Sequence, residues 1–251
     1  MKIVVAIKQV PARDSLLTAA TDGKWIDESS LDYEINEPDA YALEEALQMR
    51  EAHGGEVVAL CAGPDRASAT IREALAKGAD RAIHIAVDDI VDWDTLATAK
   101  LLAAAVKSEA ADLVLTGLQS DDVGAGQVGV VMAELLGLPH ATIIMQVEVV
   151  DGQLRVKREL EDGWFQHVGM PLPAVLTIQS GIKKLRYATL MGIKKAKTKE
   201  VRSVTPTELG VARVASYELV GVTLPQKSKK LQMVTSVAEL VDKLKNEVHV
   251  L

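Results

Sequence analysis

Short apolar runs alternate with longer stretches of helical spacing through the first two-thirds of the chain. Runs at 2–8, 56–62, 81–86, 112–117 and 142–149 are rich in Val, Ile and Leu and have the length of strands. Between them, apolar positions spaced three and four apart predict helices over Asp39–His53, Arg66–Lys77 and Asp94–Lys107, each amphipathic. A further helical segment closes at Ala133-Glu134-Leu135-Leu136-Gly137. Pro38-Asp39 and Trp93-Asp94-Thr95 are start signals, and Gly54-Gly55 and Gly78 are stops. Strand and helix in alternation predict an α/β fold with an open, mostly parallel, doubly wound sheet covered on both faces.

After Val150 the rhythm changes. Asp151-Gly152 is a hairpin turn signal between Met145–Val150 and Gln153–Glu159, and Asp162-Gly163 is a second. Two more strands are expected at Trp164–Gly169 and Ala174–Gln179. From Ser180 to about Leu231 no period is sustained, which is unusual inside a compact domain and points to disorder or to packing on something else. Helical spacing returns in Ser236–Leu251 with Val237, Leu240, Val241 and Leu244. The expected organisation is an α/β domain with a β-hairpin extension over 1–180, a loop over 181–200 and a C-terminal arm over 201–251 lying on a partner.

Composition narrows the class. A formal charge of −7 and only three Trp, four Tyr and one Phe argue against general nucleic-acid binding. A single cysteine, Cys61, rules out an internal disulfide and a cysteine-held iron–sulfur cluster, and fits a reducing cytoplasm. Any redox role therefore needs an organic cofactor. Met1–Lys8 is too short for the apolar core of a signal peptide, and no stretch approaches the roughly 20 apolar residues of a membrane span. Between Lys183 and Arg202, eight basic residues face Glu200 alone, a pattern open to two readings, a solvated loop or a docking surface. Within it Leu190-Met191-Gly192-Ile193 sets an apolar tip among lysines.

Candidate chemistry collects at the carboxyl ends of the expected strands, where open α/β sheets bind ligands. Those ends carry Ala6 and Lys8-Gln9-Val10-Pro11, Ala62-Gly63-Pro64, and Thr116 followed by Gly117-Leu118-Gln119-Ser120-Asp121-Asp122-Val123-Gly124-Ala125-Gly126-Gln127-Val128; Asn36-Glu37-Pro38-Asp39 falls on the same edge. Gly124 and Gly126 bare a helix N-terminus whose N–H groups suit a phosphate. Asp121 and Asp122 would repel it and are expected at the margin, capping the helix or meeting a ribose hydroxyl. The phosphate-loop lysine and the dinucleotide fingerprint are both missing, so a purine nucleotide is expected to be bound rather than consumed. Catalytic constellations are thin. His53, His84, His140, His167 and His249 have no metal-ligand spacing, Ser120 lacks a nucleophile-elbow sequence, and Cys61 reads as a buried small hydrophobe.

Taken together, these residues resemble the β subunit of electron-transfer flavoprotein. The resemblance runs the full length: Lys8-Gln9-Val10-Pro11, Asn36 with Ala42-Leu43-Glu44-Glu45-Ala46, Ala62-Gly63-Pro64, Arg72–Ala82, Gly117–Gly129, Val156–Gly163 and Arg186-Tyr187-Ala188-Thr189-Leu190 occur in order. It implies an adenine-nucleotide α-hydrolase-like fold and a heterodimer whose α subunit holds most of a redox-active FAD. It further implies a non-redox AMP in this chain, on Ala6, Asn36, Glu37, Pro38, Asp39, Ala62 with Gly63, and Gly117 through Val128. Tyr187, Leu190, Met191 and Ile193 would form a recognition tip for flavin dehydrogenases, and Glu159 would face the mobile flavin domain. Electrons would pass to a quinone oxidoreductase or a similar acceptor, with no catalytic residue in this chain. Two other readings stand beside it. A bifurcating relative would hold a second FAD in place of AMP, and an ATP-binding regulatory or stress module would explain the sheet but not residues 151–251. The family's usual Asn-Pro is Asn36-Glu37-Pro38 here, its frequent Lys or Arg after the strand is Leu118, and its run of aspartates becomes Asp122-Val123-Gly124. Contacts through backbone N–H groups are thus better supported than contacts through those side chains.

Overall fold

The computed structural model describes residues 1–88, 93–212, 216–225 and 231–251. Its strands are β1 (Lys2–Ala6), β2 (Gln9–Pro11), β3 (Tyr33–Ile35), β4 (Glu56–Gly63), β5 (Arg81–Ala86), β6 (Leu113–Gly117), β7 (His140–Val150), β8 (Gln153–Glu159), β9 (Phe165–Met170), β10 (Ala174–Ile178) and β11 (Val201–Val204). The helices are α1 (Glu37–His53), α2 (Ala67–Lys77), α3 (Thr95–Lys107), α4 (Val128–Leu136), α5 (Leu190–Ala196) and α6 (Val237–Asn246).

Nine strands form one sheet in the order β11-β5-β4-β1-β6-β10-β7-β8-β9, parallel as far as β7 and antiparallel through the β7-β8-β9 meander. β2 and β3 pair separately. Chain order runs outward from β1 through β4 and β5 on one side and resumes at β6 on the other, so the switch point lies between β1 and β6.

Successive residues of the central strands point to opposite faces, and both faces are covered. Ile3, Val5, Val57, Ala59, Leu113 and Leu115 pack with Leu43 and Leu47 of α1 and Ile71 and Leu75 of α2. Val4, Val58, Leu60, Ile83, Ile85 and Val114 pack on the other face with Leu101 of α3 and Met132 of α4. That burial on both sides is why the strands read as continuous apolar runs. The Asp151-Gly152 turn is confirmed, with φ of 51° and 74° at its two residues, the left-handed pair a tight hairpin needs.

Three features differ from expectation. α1 begins at Glu37, two residues before Asp39, with Asn36 at the N-cap position but making no side-chain cap bond. It is not simply amphipathic, because Glu44 and Glu45 are buried with its apolar face. Finally, Val201–Val204 joins the main sheet in parallel with β5, so the chain beyond 200 starts as an edge strand of this domain rather than as a free arm. Val201-Arg202-Ser203-Val204 is short and exposes its central pair, which hid it among the basic residues. α6 keeps its expected apolar stripe, with Val237, Leu240 and Val241 exposed, and Ser236 caps it through the Glu239 N–H.

Candidate nucleotide site

One buried carboxylate organises the carboxyl edge of the sheet. Asp39, in the first turn of α1, accepts the Gly117 N–H on Oδ1 and the Lys8 N–H on Oδ2, each at 2.8 Å. It thereby joins the ends of β1 and β6 across the switch point. Burial pushes its carboxyl up to about 7, against the pull of those N–H donors. Gly117 is required by proximity: a Cβ there would lie 2.4 Å from Asp39 Oδ1 and 2.7 Å from Pro38 Cβ.

Asn36, 1% exposed, clamps the loop that follows β6. Its Nδ2 donates to the Gln119 carbonyl at 2.9 Å and its Oδ1 accepts the Asp121 N–H at 2.9 Å. Beyond the clamp, Gly124 and Gly126 take φ of 67° and 63°, conformations that favour glycine. The loop enters α4 through Gln127, which supplies no side-chain cap, and no acidic residue occupies the first turn. The first-turn N–H groups therefore point out of the helix without a side-chain partner. Gly129 brings this helix end hard against the sheet, since a Cβ would meet Thr116 Oγ1 at 2.5 Å and Thr177 Cγ2 at 2.6 Å.

Asp121 and Asp122 do not cap α4, which corrects the expectation from sequence. Lys8 Nζ donates to Asp122 Oδ1 at 2.7 Å and to Ser120 Oγ at 3.3 Å. Arg13 pairs with Glu37 and stands 3.8 Å from Asp121. Each loop aspartate is thus drawn outward by a cation from the segment after β1. The remaining candidates lie around this edge: Ala6 ends β1, Ala62 and Gly63 end β4, and Leu118, Val123, Ala125 and Val128 belong to the loop and its helix. The Gly63 carbonyl is bonded to His84 Nε2 at 2.9 Å, which satisfies that buried imidazole structurally. Cys61 is fully buried, and burial together with the nearby Asp39 charge pushes its thiol up to about 12. Among the described residues no group of His, Cys, Asp and Glu is arranged to hold a metal ion.

The second candidate region sits on the far side of α1 and α2. Arg186 donates to both oxygens of Glu44 at 2.8 and 3.0 Å and to both of Glu51 at 2.6 and 3.2 Å. Burial opposes charge on Glu44, yet the Arg186 guanidinium and Gln48 hold its carboxyl below the ordinary range. Downstream, Arg72 Nη1 donates to the carbonyls of Ala196 and Lys199 at 2.6 and 3.2 Å, and Gly192 lets α5 touch the Ala76 carbonyl of α2. So anchored, the segment presents Tyr187 92% exposed, Leu190 82%, Met191 60% and Ile193 45%. Glu159 ends β8 and its Oε2 accepts from Gln179 Nε2 at 3.4 Å.

A family model for the electron transfer flavoprotein domain matches residues 24–209. The chain belongs to the electron transfer flavoprotein β-subunit family. It is 40% identical over 216 residues to the electron transfer flavoprotein subunit beta of Methylophilus methylotrophus, covering 84% of this chain and 82% of that protein. To the mitochondrial subunit beta of Oryza sativa subsp. indica it is 39% identical over 254 residues, and to that of Bradyrhizobium diazoefficiens 37%, each match spanning both chains in full. The family's α/β architecture is the one built above.

Sequence reasoning missed Lys8, Arg13 and the Arg186–Glu44 pair as working contacts. Lys8 was visible as a polar residue at a strand end, but its partner is 114 positions away. Arg186 and Glu44 each stood in a family motif, with nothing local to show that the motifs meet. No helix among the described residues is long and apolar enough to cross a membrane.

Proposed function

We propose that this chain is the AMP-holding β subunit of a heterodimeric electron-transfer flavoprotein, partnered by an α subunit that carries most of the redox-active FAD. The observation that carries this reading is the uncapped N-terminus of α4, drawn over the end of β6 by Gly129 and bordered by Gly117, Gly124 and Gly126. The residues fit the phosphate of a nucleotide at the first-turn N–H groups, and its adenosine beside Ala6, Ala62, Gly63 and Asn36. Among the described residues the Asp39 carboxylate at this edge is engaged by the Gly117 and Lys8 N–H groups and Ser120 Oγ by Lys8, as suits a ligand that is held rather than turned over. FAD, when bound in the partner, supplies the electron chemistry; this chain supplies the platform and the recognition surface.

Tyr187, Leu190, Met191 and Ile193 form the contact for a flavin dehydrogenase such as an acyl-CoA dehydrogenase, and Glu159 faces the flavin-bearing domain. Electrons leave through the FAD to a quinone oxidoreductase or an equivalent acceptor. α6, with its unpartnered apolar stripe, lies against the α subunit. Denaturing the purified complex and identifying the released nucleotides tests the reading. One FAD and one AMP per heterodimer are expected. Two FAD and no AMP would establish the bifurcating arrangement instead, and ATP without flavin a regulatory module.

A further inference from the structure

The segment after β11 takes a path the α/β core does not require. Leu209 and Val211 pack against the α3 and α4 side of the sheet. Ser216 then meets Asp94, the cap of α3: its N–H and its Oγ–H both donate to Asp94 Oδ2, at 2.7 and 2.6 Å, while Oδ1 accepts the Ala97 N–H at 2.7 Å. Six residues later the Val222 N–H donates to the Gly23 carbonyl at 2.9 Å, an approach made possible by Gly221, whose Cβ would stand 3.0 Å from that oxygen.

These two pins belong to opposite helical layers. Asp94 opens α3, after the carboxyl end of β5. Gly23 lies in the excursion between β2 and β3, which is tied to the start of α2 through Glu28, paired with Arg66 at 3.0 Å and bonded by Trp25 Nε1 at 3.1 Å. Because α2 and α3 start where β4 and β5 end, residues 216–222, running between these two pins, span the carboxyl edge of the sheet on the side of those strands. Yet the crossing buries little of its own: Tyr217 and Val220 are exposed, so the chain is held there by its pins rather than by a core.

We infer that residues 216–222 are a strap that retains the nucleotide, fastened at Asp94–Ser216 and at Gly23–Val222, and that the nucleotide leaves only when a pin opens. This rests on the nucleotide reading above and adds to it the control of exchange. A segment fastened by a few hydrogen bonds and little apolar burial opens locally, well below the free energy of global unfolding.

The test uses the assembled, flavin-loaded complex and measures exchange of bound AMP against isotope-labelled AMP. Ser216→Ala removes one donor to Asp94, Val222→Pro removes the donor to Gly23, and Ser216→Thr keeps the hydroxyl. Amide hydrogen exchange over 216–222 reports whether the strap has opened. Loss of two bonds, one of them to a charged acceptor, is expected to speed AMP exchange by about thirtyfold or more in the double variant, with Ser216→Thr close to the parent. An unchanged AMP exchange rate with an opened strap overturns the inference, as does unchanged protection in the double variant. Absence of AMP from the denatured parent complex would instead bring down the nucleotide reading itself.

Discussion

Gly117→Ala is the most direct probe of how the edge of the sheet is built. The added methyl would lie 2.4 Å from Asp39 Oδ1, 2.7 Å from Pro38 Cβ and 2.8 Å from the Asp39 nitrogen. Two of those atoms belong to the fixed first turn of α1 and cannot swing aside. Relief requires α1 or β6 to shift, an overpacking cost of about 1–3 kcal/mol. The shift also breaks the Gly117 N–H bond to the buried carboxylate, a charge-assisted bond of about 1.5–3 kcal/mol. Together they give a destabilisation of about 3–5 kcal/mol, or a Tm lowered by roughly 10 °C in a chain of this size. Gly124→Ala is the control in the same loop. Nothing lies within 4 Å of its Cβ, and only φ of 67° opposes it, at about 1 kcal/mol. Thermal unfolding of both variants, at matched complex and nucleotide concentrations, checks the ordering. A Gly117→Ala complex that melts within about 2 °C of the parent and keeps its nucleotide would refute the account.

Arg186→Met strips Glu44, whose side chain is 4% exposed, of its guanidinium partner and leaves it to Gln48 and the backbone N–H of residue 186; a loss of about 3 kcal/mol in urea unfolding is expected, and a loss under about 1 kcal/mol would contradict it. Leu190→Ala, at an 82% exposed position, is expected to leave stability within about 0.5 kcal/mol while raising the KM for a reduced dehydrogenase; unchanged kinetics with every dehydrogenase would count against the recognition role. Asp39 gives a pH signature. Its folded pKa of about 7 exceeds the 3.8 of the free group, so the native state binds the extra proton and unfolding free energy falls as pH rises from about 4 to about 7. Asp39→Asn should flatten that slope in urea titrations, and parallel slopes would exclude Asp39 as its source.

The central strands were legible because burial on both faces leaves mostly apolar residues in β1, β4, β5 and β6, and a run of that kind needs no partner to be recognised. Helix ends were legible where glycine stops the chain, as at Gly54 and Gly78. α5 was not, because seven residues with only Ala196 buried carry no period. β2 and β3, three residues each, are too short to stand out. In the site, the glycines could be read as loop glycines, but the reason for Gly117 is Asp39, 78 positions earlier, and sequence spacing does not carry that contact. The residues that the resemblance singles out around the loop fall on one edge of the sheet; it did not say which groups hold that edge together.

The two aspartates in the loop after β6 pose the sharpest physical question for the nucleotide reading proposed above, because an anion site should not carry them. Two unit charges 4 Å apart repel by about 1 kcal/mol in water and about 4 kcal/mol at the effective dielectric of a partly enclosed site. Unpaired, Asp121 and Asp122 would largely cancel the half-charge of the α4 N-terminus. Lys8 relieves that conflict from outside the loop by pairing with Asp122 at 2.7 Å, and Arg13, itself paired with Glu37, stands 3.8 Å from Asp121. Their origin beside β1 has a second effect: each pair ties the loop after β6 to the neighbouring strand, as Asn36 and Asp39 do from α1. A lysine within the loop would have met the phosphate and left the loop free to move with it. On the nucleotide reading proposed above, cations supplied from outside the loop fix it and leave the anion to backbone N–H groups, an arrangement that would suit holding a nucleotide more than transferring its phosphate.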